Sequence, residues 1–375
     1  MGKKKVGFIY LDELHHIHHF ITPAYELSKN EEFEVEIITY EADHDYLRRL
    51  IDQLGAQKLK IRKLSTTIPR RIIEGITKRR LPSPYYIYKK HSDVFLSFDA
   101  LVFTDHTANI ISEARGKSSH PKLIHVAHGS GDRAYGYQEA HKLYDLILVA
   151  GRKKAERLMV EFEDEDFKIK LCGYPKFDLT NKASNIKTKF NNSNKTVLYT
   201  PHFNKELSSW YKFGHQVLDF FHKHNKYNLI FAPHINLFNK KGFENYKSIE
   251  KKYFDAPNIH IDLGSISCVD MTYIMTSDIY LGDVSSQIYE YLMKPRPAIF
   301  INAHQADWGN NPNYLHWKTG KVIDSLKDLK SLIEQAPIWS KQYAALQKAL
   351  FNDTFNLTEE SSGARIAKAI IEELN

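Results

Sequence analysis

The sequence predicts two facing Rossmann-like, doubly wound α/β domains, and three observations carry the expectation. Short apolar runs alternate with longer amphipathic stretches through the first half, a polar stretch interrupts near the middle, and the second half restarts the same rhythm. With 375 residues the chain exceeds a single modal core, which holds roughly 100–150 residues. Hydrophobic residues make up 42% and charged residues 26%, enough apolar side chains for two cores and too ordinary a balance for a disordered chain.

The first-half strands are expected at 6–11, 34–40, 58–62, 100–104, 122–127 and 145–150, with another at 168–172. Most are short and largely apolar, as strands buried on both faces of a parallel sheet must be. The opening run Val6 to Leu11 meets Asp12 and Glu13 at once, so it reads as a first strand and not as a secretory signal. Residues 181–195 turn polar and carry the expected linker, dividing a domain 1–185 from a domain 186–375. Second-half strands follow at 196–200, 228–232, 259–263, 279–281 and 298–301, and the spacing of Ile366, Ile370 and Leu374 predicts a closing helix over 360–374 within the second domain.

Composition narrows the function. Cys172 and Cys268 are the only cysteines and sit in separate apolar runs, so reduced core thiols of a cytoplasmic protein are expected and no disulfide framework. No stretch reaches the ~20 apolar residues of a membrane span, which leaves peripheral contact with a membrane. The formal charge of +7 favours anionic partners. Nucleic acid is not among the expected ones, because the 22 Tyr and 21 Phe lie mostly in apolar runs and no RNA-binding strand motif or zinc-finger spacing is present.

In doubly wound sheets ligands bind beyond the carboxyl ends of strands, and the chemistry-bearing residues fall there. Strand 122–127 ends in His128-Gly129-Ser130, an imidazole at the sheet edge followed by bare backbone that admits a ligand. Histidine titrates near neutrality and suits a general base; His125, three residues earlier in the strand and alternating with it, is expected to pack. Pro201-His202 and Pro233-His234 end two second-half strands and project hydrogen-bond donors to the same edge. Gly282 closes strand 279–281, and Asp283-Val284-Ser285-Ser286 then opens an amphipathic helix containing Glu290. The exposed amides of a helix N-terminus with the two serines suit a phosphate, and plain capping by Asp283 or Ser285 is the blander alternative. His15, His16, His18 and His19 follow the first strand, with 15, 18 and 19 on one helical face. No glutamate completes a metalloprotease motif, so no metal ligands are assigned there, and the cluster is read as flanking the cleft, against acceptor phosphates, or as a solvated turn. The stretch 68–81 interleaves apolar with basic residues, which fits either an anionic membrane surface or a solvated helix with its apolar side in the core.

In this order the turns resemble the CDP-glycerol glycerophosphotransferase family of teichoic-acid primases and polymerases. His128-Gly129-Ser130 is similar to the family's His-Gly-Thr-type motif, and Gly173-Tyr174-Pro175-Lys176-Phe177-Asp178 to its Gly-Tyr-Pro-Arg-x-Asp segment. Tyr199-Thr200-Pro201-His202, His234, Asp283-Val284-Ser285-Ser286 and the Lys294-Pro295 segment resemble further motifs, over roughly residues 120–305. Ala232 and Ile235 stand where the family has Arg and Pro, and Gly131-Asp132-Arg133 replaces its Pro-Leu-Lys. The resemblance implies a GT-B-type architecture with the active site in the interdomain cleft, and transfer of a polyol phosphate from a CDP-activated donor to a hydroxyl acceptor, glycan or polyol phosphate and lipid-linked, in surface-polymer synthesis. His128, His234 and Asp283 become the expected catalytic residues, and Gly129, Ser130, His202, Ser285, Ser286 and Glu290 the expected donor-binding residues, with no obligatory cofactor and divalent-metal dependence left open. A glycosyltransferase using a CMP- or UDP-sugar on the same scaffold is the alternative.

Overall fold

The structure is a computed structural model that describes all residues except 1, 43, 78–80, 164, 166, 181–189 and 240–242. The chain forms two compact units, 1–129 with 137–182 and 353–375, and 130–136 with 183–352.

The first unit is built on a seven-stranded sheet: β1 (Lys4–Tyr10), β2 (Phe33–Tyr40), β3 (Lys60–Leu64), β4 (Ala100–Phe103), β5 (Lys122–Val126), β6 (Leu146–Val149) and β7 (Ile169–Leu171). Its order is β3-β2-β1-β4-β5-β6-β7 and every pairing is parallel. The second unit repeats the plan with β8 (Thr196–Thr200), β9 (Asn228–Phe231), β10 (Ile259–Ile261), β11 (Ile279–Gly282), β12 (Ala298–Ile301) and β13 (Lys321–Ile323), ordered β10-β9-β8-β11-β12-β13. Both orders reverse direction once, between β1 and β4 and between β8 and β11, and such a switch point opens a crevice at the strands' carboxyl ends. The central strands are buried along their whole length because helices cover both faces.

Each unit has its own core. Phe8, Phe20, Ile37, Val102 and Leu148 lie in one apolar cluster of the first; Trp210, Leu218, Phe231, Tyr253 and Ile299 lie in that of the second.

Two expectations are corrected and one falls outside the description. The closing helix forms over Ser362–Leu374, but it belongs to the first unit, where Gly363 lies so close to Thr22 that a Cβ would stand 2.8 Å from its carbonyl carbon. Asp178 secures it, accepting the amides of Ser362 at 3.0 Å and Gly363 at 2.7 Å and the Thr22 hydroxyl at 3.0 Å. An acid at unpaired amides of a helix start is favourable for both hydrogen bonding and the helix dipole, which explains why this helix leaves the half of the sequence it follows. The second correction is β13, unforeseen because Lys321-Val322-Ile323 is a half-buried edge strand with no apolar run. The expected 185/186 boundary lies outside the described residues.

Candidate active site

In the first unit the switch-point crevice gathers histidines around Thr104, the residue after β4. The His128 ring donates from Nδ1 to the Thr104 carbonyl, and His16 Nδ1 meets the Thr104 hydroxyl at 2.8 Å. The His16 and His128 ring centroids are 4.2 Å apart, with His15 at 5.6 Å and His19 at 6.3 Å from His128. A carbonyl oxygen can only accept, so the neutral His128 carries its proton on Nδ1 and its lone pair on Nε2. Burial lowers the His128 pKa, against the Thr104 hydrogen bond that supports the charged form, so the ring is neutral at pH 7. Burial, with His128 beside it, likewise depresses His16 and His19 well below the ordinary histidine range. A neutral imidazole with an oriented lone pair is what a general base requires.

The shared helical face expected for His15, His18 and His19 is split. Leu14–His16 is a 3₁₀ turn and the α-helix starts at Ile17; the tighter turn advances the side chains by a different angle. His18 therefore turns away to the Tyr46 hydroxyl at 2.7 Å, and His15, His16 and His19 face His128. His19 also packs on Tyr174, from the Gly-Tyr-Pro segment, with centroids 4.9 Å apart.

In the second unit Asp283 sits at the β8/β11 switch point and is 1% exposed. Its carboxylate accepts the amides of His202 at 2.9 Å, Ser209 at 2.6 Å and Val284 at 2.7 Å, and the Ser209 hydroxyl at 2.8 Å. Burial raises its pKa and these donors oppose the rise. With its lone pairs so occupied, Asp283 ties the loop after β8 to the loop after β11. Its carbonyl accepts the Trp317 indole at 2.8 Å.

His202 and His234 share one local device. In Pro201-His202-Phe203-Asn204 the Asn204 amide donates to His202 Nδ1 at 3.0 Å; in Pro233-His234-Ile235-Asn236 the Asn236 amide donates to His234 Nδ1 at 3.2 Å. An amide can only donate, so each neutral ring carries its proton on Nε2, as a donor. The two rings lie 5.7 Å apart. Burial, with His234 and Arg133 nearby, lowers the His202 pKa to about 3. Among the described residues the Asn236 Oδ1 is buried without a partner.

The remaining expected residues are divided. Ser285 is buried, its hydroxyl accepting the Gln287 amide at 3.3 Å, and Ser286 is exposed. The helix they precede is Gln287–Tyr291, without a side-chain cap, so the expected amphipathic helix forms but is short. Glu290 is buried within it. Gly129 is half-buried with open space where a Cβ would stand, whereas a Cβ on Gly131 would come within 3.2 Å of the Ser286 Cβ, a close approach that glycine permits. Ser130 is buried and belongs, with Gly131 to Gly136, to the second unit.

Sequence reasoning missed three residues here. Thr104 had a signal, a polar residue directly after a buried strand. Asp132, 3% exposed, accepts the Tyr289 hydroxyl, the His316 amide at 3.1 Å and His316 Nδ1 at 2.9 Å. His316 itself reaches the Asp283 carbonyl with Nε2 at 3.3 Å; nothing in the local sequence of either residue announces this buried pair.

The model of the family described as CDP-glycerol:poly(glycerophosphate) glycerophosphotransferase matches residues 125–372, well over half of the chain. No curated protein matches the chain by sequence. Among solved structures, the wall teichoic acid polymerase TagF soaked with CDPG is similar over 99% of this chain and 88% of that one, with 16% identity and a TM-score of 0.64. The Neisseria meningitidis UDP-GlcNAc 2-epimerase bound to UDP-GlcNAc is similar over 99% of both chains (16% identity, TM-score 0.58), and a Listeria monocytogenes putative UDP-N-acetylglucosamine 2-epimerase over 100% and 98% (15% identity, TM-score 0.65). At such identities the likeness carries the two-domain α/β fold, and the family match carries the chemistry. The chain belongs to the CDP-glycerol:poly(glycerophosphate) glycerophosphotransferase family and is a transferase of glycerol phosphate from a CDP-activated donor.

Proposed function

We propose that the enzyme extends a lipid-linked acceptor by one glycerol phosphate at a time, with His128 as general base. The acceptor hydroxyl loses its proton to His128 Nε2 and its oxygen attacks the donor phosphorus distal to the nucleoside. The bond from that phosphorus to the bridging oxygen breaks and CMP leaves. The observation that carries the reading is the tautomer of His128: its Nδ1–H is committed to the Thr104 carbonyl, which leaves Nε2 as a lone pair on a neutral ring. His202 and His234 donate from Nε2 to the diphosphate, and Arg133 adds positive charge there. Ser286 lies at the edge of this donor site, while Asp283 holds the loops in place. Phosphoryl transfer depends chiefly on positioning and charge stabilisation, which these groups supply.

Chromatography of the nucleotide product tests it. With CDP-glycerol and a prenyl-linked glycerophosphate acceptor, CMP should appear in step with acceptor elongation. Formation of a nucleoside diphosphate from a UDP-sugar, with no turnover of CDP-glycerol, would assign glycosyl transfer instead.

Membrane placement belongs to the same reading. Among the described residues no helix is long and apolar enough to cross a membrane. Helix Ile68–Ile76 nevertheless exposes Ile68, Ile72, Ile73 and Ile76, between 48% and 76%, and buries only Glu74. The core-facing alternative for this stretch is therefore overturned; Lys78, Arg79 and Arg80 lie outside the described residues. An exposed apolar face beside Arg70 and Arg71 fits the surface of an anionic bilayer, where the acceptor lipid resides. Changing Ile72 and Ile76 to Asp should lower sedimentation with phosphatidylserine-containing vesicles, and unchanged sedimentation would assign the helix to ordinary surface.

A further inference from the structure

A second histidine cluster lies in the first unit, outside the residues used above. His106 follows β4, His125 lies within β5, and His141 lies in the 3₁₀ turn Glu139–Leu143 before β6. Their ring centroids are 4.9 Å (106–125), 4.7 Å (106–141) and 5.2 Å (125–141) apart. One ring nitrogen from each falls within 4.8 Å of the other two. His125 is 2% exposed and His141 is fully buried.

The hydrogen bonding of this cluster is unusual for a core. His106 Nδ1, both ring nitrogens of His125 and His141 Nε2 are all buried and have no partner among the described residues. Buried polar nitrogens are nearly always satisfied, so several unpartnered ones converging on one point call for a ligand that accepts lone pairs. His141 is already oriented for this: its Nδ1 donates to the Gln138 carbonyl at 2.9 Å, which fixes the lone pair on Nε2, the arrangement that metal-ligating histidines use.

We propose that His106, His125 and His141 form a zinc site. Three neutral imidazoles are a ligand set for Zn²⁺ with the fourth position open, which suits His106, the half-exposed member. Zn–N bonds of ~2.0–2.1 Å place tetrahedral ligands about 3.3 Å apart, so the rings close in slightly on the ion. The cation that faces the cluster is Lys154, held 3.9 Å from the Tyr137 ring centroid. The ion would pin the ends of β4 and β5 to the turn at 139–143. It would thereby hold both flanks of the segment that begins at His128.

Untagged full-length protein, stripped by chelator and exchanged into Zn²⁺, tests the site by metal analysis after gel filtration. One equivalent of zinc should be retained. His106→Gln and His141→Gln should each lower its affinity by roughly a hundredfold or more, while His128→Asn retains it. X-ray absorption on the wild-type protein should show a shell of imidazole nitrogens, a readout that does not depend on any variant folding. Absence of stoichiometric zinc would overturn the proposal, as would zinc that survives both Gln variants and is lost in His128→Asn, which would place the ion among His15, His16 and His128.

Discussion

His128 and Asp283 each stand directly after a strand at a switch point, yet their surroundings are opposite. Around His128 the Thr104 carbonyl takes the Nδ1 proton and leaves the lone pair on Nε2. Around Asp283 three amides and a hydroxyl occupy the carboxylate, and nothing remains for proton transfer. Position at the sheet edge is therefore not enough to identify a catalytic group. The difference lies in which lone pairs the neighbours leave unused, and under the proposed function it divides the labour between a base in the first unit and a rigid grip in the second.

The largest expected effect tests the grip. Asp283→Ala removes the acceptor of four buried donors and should cost about 3–5 kcal/mol of stability, read from denaturant unfolding. A variant of wild-type stability with turnover alone lost would make Asp283 a catalytic acid or base and dissolve the contrast. His202→Ala and His234→Ala should each weaken donor binding by about tenfold, or ~1.4 kcal/mol, in calorimetry. Unchanged affinity in both would remove the histidine pair from the diphosphate.

Protonation offers a third test. His18 and His202 have pKa values lowered to about 3 in the folded chain, against ~6.5 when unfolded. Below pH ~6.5 the unfolded state takes up protons that the folded state refuses, so the stability these neutral rings permit is complete above that pH. It is lost as pH falls towards 3, by at most about 1.4 kcal/mol per pH unit for each ring. Thermal unfolding that is flat from pH 7 to 4 would contradict the burial of these rings. The smallest effect belongs to Ser286→Ala, exposed beside Gly131: donor binding should weaken by about 1 kcal/mol or less, with stability within about 0.5 kcal/mol of wild type.

Much of this was legible in the sequence for a plain physical reason. Parallel strands buried on both faces must be largely apolar, so the central strands stood out as runs, and with them the residues that follow their carboxyl ends: His128, His202, His234 and Asp283. What was hidden depends on long-range pairing. Asp132 and His316 are 184 positions apart and each looks like a loop residue until the fold joins them. The return of helix Ser362–Leu374 to the first unit rests on Asp178 and on the small residue Gly363, neither of which carries a periodic signal. The exposed isoleucines of helix Ile68–Ile76 were visible as an apolar face, but which side of that face met water could be decided only in three dimensions.

The role of His128 as the base is the claim most open to a direct measurement. Single-turnover rates of His128→Asn at saturating donor and acceptor, set beside its donor dissociation constant from calorimetry, separate proton transfer from binding. The rate should fall by about 10²–10⁴-fold with donor affinity within about twofold of wild type. A near-normal rate, or a loss that appears only in donor affinity, would contradict the assignment.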